Sequence, residues 1–280
     1  VAKTLTIATL TGDDLTKVNI VGSNAITISE VDLVQASGLN SALVSTADRA
    51  EVAVEIDAST STGAVSLSTT ETGVLKITGG SGKLDVDLNG TATVSSTKLA
   101  DVITGGSGTT DTVTVHDSSS AATFYPNTTG VEILQVETIT SGAKTTSLAN
   151  TTGVTTVELV DETTGGGFGT TIAGINGQNI KLVTNAATST DFTSAAIVLK
   201  VASGVTNTDV EIGNGLTSKL NDGVGLGATA VAFTTDSTSF TINDTAVDNA
   251  ATGDHNIAVG VNAAVTISTG NKNIAMGYDA

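Results

Sequence analysis

The sequence predicts an all-β protein with little helix, built either as a series of β-sandwich-like units or as an irregular parallel β-roll or solenoid. Three observations carry that expectation. Short runs alternating apolar and polar residues recur all along the 280-residue chain, the period-two signature of half-buried strands. Thr, Ser, Asn, Asp and 31 Gly residues fill the rest, and these favour strands and the turns between them. The apolar share is 39% but aromatics make up only 2%, with no Trp and one Met, so the interior must be Val, Ile, Leu and Ala. Thin, regular layers of branched side chains suit that inventory better than one thick core. Disorder is the competing reading of so polar a composition, and the alternating Val and Ile runs argue against it.

Taken in order, the expected strands are Leu5–Ile7, Val18–Ile20, Val52–Ile56, Val74–Ile77, Leu84–Leu88, Thr112–Val115, Val131–Val136 and Val154–Val160. Ile180–Val183, Ile197–Val201, Val210–Ile212, Val231–Phe233 and Phe240–Ile242 follow. Leu84-Asp85-Val86-Asp87-Leu88 shows the alternation most plainly, one face apolar and one acidic. A short helix is expected within Glu30 to about Arg49, interrupted by Ser37 and Gly38. Glycine-rich stretches at Gly165–Gly169 and Gly223–Gly227 mark breaks, and the final thirty residues form a separate rung-like piece, so the expected division is residues 1–165, 166–250 and 251–280.

Repetition sharpens the fold expectation. Thr-Gly-Val or Ser-Gly-Val opens a strand at Gly73, Gly130, Gly153 and Gly204, and the interval from Gly130 to Gly153 suits one solenoid turn or one hairpin pair. At the end of the chain, Asn256-Ile257-Ala258-Val259-Gly260 is echoed by Asn273-Ile274-Ala275-Met276-Gly277. This reads as two rungs, with further rungs expected beyond them or from a partner.

Charge and composition narrow the function. With 28 acidic against 11 basic residues the net charge is −17, and there is no basic stripe for nucleic acid or anionic lipid. Cysteine is absent, so disulfides and thiolate metal sites are excluded. No apolar stretch reaches the roughly 20 residues a membrane-spanning helix needs, so membrane insertion is not expected. The first residue is Val1, which is read as the start of a processed product or a fragment.

Catalytic signals are weak. His116 and His255 are the only histidines, and His116 beside Asp117 reads as a solvated turn pair. Acid pairs such as Asp13-Asp14 and Asp161-Glu162 read as strand ends, because carbohydrate chemistry leans on aromatic platforms this chain lacks. Gly165-Gly166-Gly167-Phe168-Gly169 lacks the Lys and the spacing of a nucleotide loop. No catalytic residue is expected, and the chain is not expected to be an enzyme.

Two glycine turns stand out: Gly79-Gly80-Ser81-Gly82 and Gly105-Gly106-Ser107-Gly108. Each follows Ile-Thr and precedes an alternating strand carrying Asp. Glycines of this kind can turn carbonyls toward a hard cation, with Asp as a carboxylate ligand. In these turns the chain resembles the repeat-in-toxin calcium repeats, and in composition over about residues 1–215 it is similar to the repeat-in-toxin type surface-layer proteins of Gram-negative bacteria. The resemblance implies calcium held by the carbonyls of Gly79, Ser81, Gly105 and Ser107 with Asp85, Asp101 or Asp111. Two departures stand against it. The carboxylates Asp85 and Asp111 fall one position late, and the interval from Gly79 to Gly105 is wider than that of stacked nonapeptide coils. Plain glycine turns between strands are the alternative.

These features together set an expectation of an extracellular structural protein on a bacterial cell surface, self-assembling into a layer or filament, with calcium as a cross-linker and cell-surface polysaccharide as a second partner. The alternative is an adhesin or phage tail-fibre segment, since the Asn-Ile-Ala-x-Gly pair resembles repeats of trimeric adhesin heads and tail fibres. A secreted enzyme or its carbohydrate-binding domain comes third.

Overall fold

Leu84–Leu88 is a strand as its alternation predicts, with Leu84, Val86 and Leu88 buried and Asp85 and Asp87 half-buried between them. The same two-residue period runs through a parallel β-solenoid, the second of the two expected architectures. The computed structural model describes residues 3–12, 15–32, 54–69, 75–88, 101–116, 123–138, 144–161, 169–183, 196–212, 231–244, 257–259 and 274–276. Among the described residues there is no α-helix, only one 3-10 turn at Leu148–Asn150. Val31–Asp32, inside the expected helix, is a strand. Positions 33–49 lie outside the described residues, as do Gly73, positions 165–168 and positions 223–227.

The chain divides into two compact units, residues 1–135 with 149–155, and residues 136–148 with 156–280. The first unit holds β1 (Thr4–Ile7), β2 (Leu10–Thr11), β3 (Lys17–Asn19), β4 (Ala25–Ile28), β5 (Val31–Asp32), β6 (Val54–Asp57) and β7 (Val65–Thr69). It continues with β8 (Leu75–Thr78), β9 (Leu84–Leu88), β10 (Val102–Thr104), β11 (Thr112–His116), β12 (Thr123–Phe124) and β13 (Asn127–Thr129). β14 (Ile133–Thr138) runs across the division, β15 (Lys144–Ser147) belongs to the second unit, and β16 (Thr151–Thr152) to the first. The second unit then adds β17 (Thr156–Asp161), β18 (Gly169–Ile175), β19 (Asn179–Val183), β20 (Ala196–Val201), β21 (Asn207–Ile212), β22 (Val231–Thr235), β23 (Ser239–Asp244), β24 (Ile257–Val259) and β25 (Ile274–Met276).

In the first unit each coil contributes one strand to a sheet ordered β3-β6-β8-β10-β13-β16, turns a corner, and contributes the next to a sheet ordered β1-β4-β7-β9-β11. Register holds from coil to coil. Ile28, Leu67, Val86 and Val113 align on the second of these sheets, and Ile56, Ile77 and Ile103 on the first, all buried. A shift of one position would turn the apolar row outward, so burial itself fixes the register. Coil length does not. Ile26 aligns with Val65 and Val65 with Leu84, so the earlier coil takes roughly twice as much chain as the later one.

The second unit repeats the principle with sheets β17-β19-β21-β23 and β15-β18-β20-β22-β24-β25, again parallel. Val157, Ile180 and Val210 form one buried row, and Thr146, Ile172 and Leu199 another. The terminal repeat extends this second sheet: β24 pairs with β22 on one side and with β25 on the other, Ile257 opposite Ile274.

Candidate functional site

The two glycine turns stack one coil apart at a single corner of the first unit. Thr78 lies opposite Thr104, the Gly79 N–H donates to the Thr104 carbonyl, and the Ser107 N–H donates to the Gly80 carbonyl. The Thr-Gly-Val motifs at Gly130 and Gly153 continue the same corner. Thr104 aligns with Thr129 and Thr129 with Thr152, while the Gly105 N–H donates to Thr129 and the Gly130 N–H to Thr152. Four Thr-Gly steps, read in the sequence as two separate motifs, therefore occupy one place on four successive coils.

Backbone packs directly on backbone here. A Cβ on Gly106 would fall on the Gly80 carbonyl oxygen, one on Gly105 on that of Gly130, and one on Gly80 on that of Ser61, all far inside van der Waals contact. Gly130 and Gly153 also take positive φ of 65° and 96°, a region that disfavours side chains. Stacked coils about 4.8 Å apart leave no room for a side chain at this corner, which accounts for the glycines.

Acidic side chains finish the strands that meet the corner. Asp111 is fully buried; its Oδ1 accepts the Leu84 N–H at 2.8 Å and its Oδ2 the Gly106 N–H at 2.9 Å. Asp101, also buried, accepts the Leu75 N–H at 2.8 Å. Glu132 accepts the Asp111 N–H at 2.8 Å, and in the second unit Asp236 accepts the Val201 N–H at 2.8 Å. At three of these places the reason is visible in the register. β10 pairs with β8 from Lys76–Val102 onward and β11 with β9 from Asp85–Thr112 onward, so Leu75 and Leu84 each carry an N–H one position ahead of the ladder. β14 begins at Ile133, whose N–H donates to the Asp111 carbonyl, and Glu132 just before it serves the Asp111 N–H. The acid in front of the later strand takes the place of the missing carbonyl. A buried N–H left without a partner there would cost about 1–3 kcal/mol.

The residues expected around calcium are thus placed as follows. Gly79, Ser81, Gly105 and Ser107 come together in the stacked turns, with Asp111 folded under Gly105 and Gly108. Asp101 and Asp111 occupy inward positions and bond to backbone amides. Asp85 lies on the opposite, outward face of its strand, bonded to Lys83 at 3.1 Å. Among the described residues no three His, Asp or Glu side chains cluster closely enough to hold a metal ion.

His116 is a correction. It is not a solvated turn residue beside Asp117 but a buried member of β11, its Nε2 2.6 Å from Asp87 Oδ1 on the neighbouring coil. The Ser68 hydroxyl donates to the other Asp87 oxygen at 3.2 Å. The order is Ser–Asp–His with the carboxylate in the middle, so the imidazole cannot take the serine proton as a nucleophile relay requires. The row is a tie across three coils. His255, Asp13-Asp14 and Glu162 lie outside the described residues.

On the other sheet, Lys17, Glu55 and Lys76 alternate in one outward row, with Lys17–Glu55 at 3.5 Å and Lys76–Glu55 at 3.4 Å. Lys17 also reaches Asp57 at 3.0 Å. The Ser59 hydroxyl, then Lys17, then the Ser59 N–H hold the Asp57 carboxyl well below the usual carboxylate range. Its bond to Asp57 holds the Lys17 ammonium above its ordinary value in turn, so the amine stays protonated and is no nucleophile at neutral pH. The chemistry here is cross-linking of coils by charge. Comparison with protein-family models, with curated proteins and with solved structures gives no match for this chain.

Proposed function

We propose that the chain is an extracellular structural protein of a bacterial cell surface, a β-solenoid that assembles with copies of itself into a layer or filament. One observation carries this reading: register is kept from Ile26 to Val65 and again from Val65 to Leu84, although the two coils differ roughly twofold in length. Such a scaffold tolerates inserts at its corners while each coil touches mainly its neighbours, the property of repeat proteins that display variable loops on a stiff stack. The features worked out above, glycine corner, carboxylate caps, histidine tie and charge row, all hold coils together. The net charge of −17 keeps copies apart at low ionic strength, so cations and salt are the natural control on assembly.

A second reading, an adhesin or tail-fibre segment, is favoured by the terminal repeat, whose two rungs align Ile257 with Ile274, Ala258 with Ala275 and Val259 with Met276. Electron microscopy of the purified chain, in millimolar calcium and in chelator, tests both. Ordered sheets or filaments support the coat, and their dissolution in chelator assigns calcium a part in it. Discrete trimers under both conditions support the fibre. Monomers under both conditions overturn self-assembly.

A further inference from the structure

Eight hydrogen bonds that tie a side chain of one coil to the backbone of another share a direction. Leu75, Leu84, Asp111 and Val201 each give an N–H to an acid that lies later in sequence: Asp101, Asp111, Glu132 and Asp236. The carbonyls of Val31, Gly22, Glu132 and Thr206 each accept from a hydroxyl that also lies later: Thr69, Ser61, Thr155 and Thr238. In every one of these bonds the backbone belongs to the earlier coil and the side chain to the later one. They occur in both units, at different strands, and with carboxylates and hydroxyls alike.

We propose that the solenoid is locked in one direction, each coil's exposed backbone groups being completed by side chains of the coil that follows. The backbone donor or acceptor is fixed by the earlier coil's own geometry, but its partner arrives only with the next coil. Leu84 shows the dependence: its row neighbour on the earlier side is Val65, an apolar contact, and its N–H is answered by Asp111 on the later side. A coil therefore reaches full stability after its successor has docked, and loss of a cap weakens the coil before it and not the coil after it. For a chain made and delivered from its first residue onward, earlier coils stay adjustable until later ones arrive.

Hydrogen–deuterium exchange of the full chain, resolved by peptide, tests this against Asp111→Ala and Asp236→Ala. Asp111→Ala removes the acceptor for Leu84 but keeps the N–H that Glu132 accepts. Exchange over positions 84–88 is expected to rise about tenfold or more, with positions 133–138 unchanged. Asp236 is exposed, so its truncation leaves the core intact. The same asymmetry is expected there, with faster exchange at positions 197–201 and no change at positions 257–259, the strand of the coil that follows. Equal loosening on both sides, loosening of the later strand alone, or no change at Val201 in Asp236→Ala overturns the proposal. If Asp111→Ala fails to fold, the Asp236 variant decides.

Discussion

The Asp111 carboxylate stands in line with the Leu84 side chain, one coil on, and accepts the Leu84 backbone N–H at 2.8 Å. An acid thus occupies an inward position in a row that is apolar at Val65 and Leu84, and it is buried completely. Replacing it by the residue the row suggests is expected to fail. Asp111→Leu restores an apolar row but strands the N–H groups of Leu84 and Gly106. Denaturant unfolding should show a loss of about 1–3 kcal/mol, and an unchanged or raised stability would mean the carboxylate is not needed there.

The corner glycines make a steric prediction with its own control. Gly106→Ala puts a methyl carbon onto the Gly80 carbonyl oxygen, so two coils must separate. Gly177 has a positive φ of 83° but nothing within 4 Å of its Cβ position. Gly177→Ala is expected to cost about 1–2 kcal/mol from backbone strain alone, and Gly106→Ala several times that or no folding. Similar thermal stabilities for the two variants would show that the corner is not close-packed.

How much of this is legible in sequence depends on where the partner of each residue lies. Leu84–Leu88 matches its expected limits because its alternation is local. Asn127–Thr129 and Lys144–Ser147 carry no strand signal, since unbroken runs of polar residues show no alternation. Yet Thr128 and Thr146 are 1% and 2% exposed, so threonines fill inward positions there. The corner is half visible. Both glycine turns and the Thr-Gly-Val steps at Gly130 and Gly153 stand out in the sequence, but their unequal intervals hide that they share one place. The caps are invisible, because an Asp in front of a strand says nothing about which amide, on which earlier coil, it will meet.

His116 misleads in sequence for the same reason, its partner lying back on β9 and not next door. If Asp87 and His116 form one tie, their contributions cannot add. His116→Ala and Asp87→Ala should each lower stability, and the double variant should fall short of the sum by about 0.5–3 kcal/mol. An additive double-mutant cycle would reduce the 2.6 Å contact to proximity.

Asp57 predicts how the first unit responds to acid. Its folded carboxyl is held below its ordinary value of 3.8, chiefly by the Ser59 hydroxyl and then by Lys17. A depressed acid contributes stability that is complete above the unfolded value and is lost as pH falls from there through the folded one. The chain should therefore weaken on acidification below about pH 4, and Asp57→Asn should remove part of that slope while leaving the plateau around neutral pH flat. Lys17 works in the opposite sense: its raised value gives stability present at neutral pH and lost only as pH climbs past its ordinary 10.5. Because Lys17 is 42% exposed and the Asp57 side chain 26%, salt should shrink both effects. Acid unfolding curves at low and high salt, run from neutral pH down to about pH 2, check this, and identical slopes for the parent chain and Asp57→Asn would remove Asp57 from the acid response.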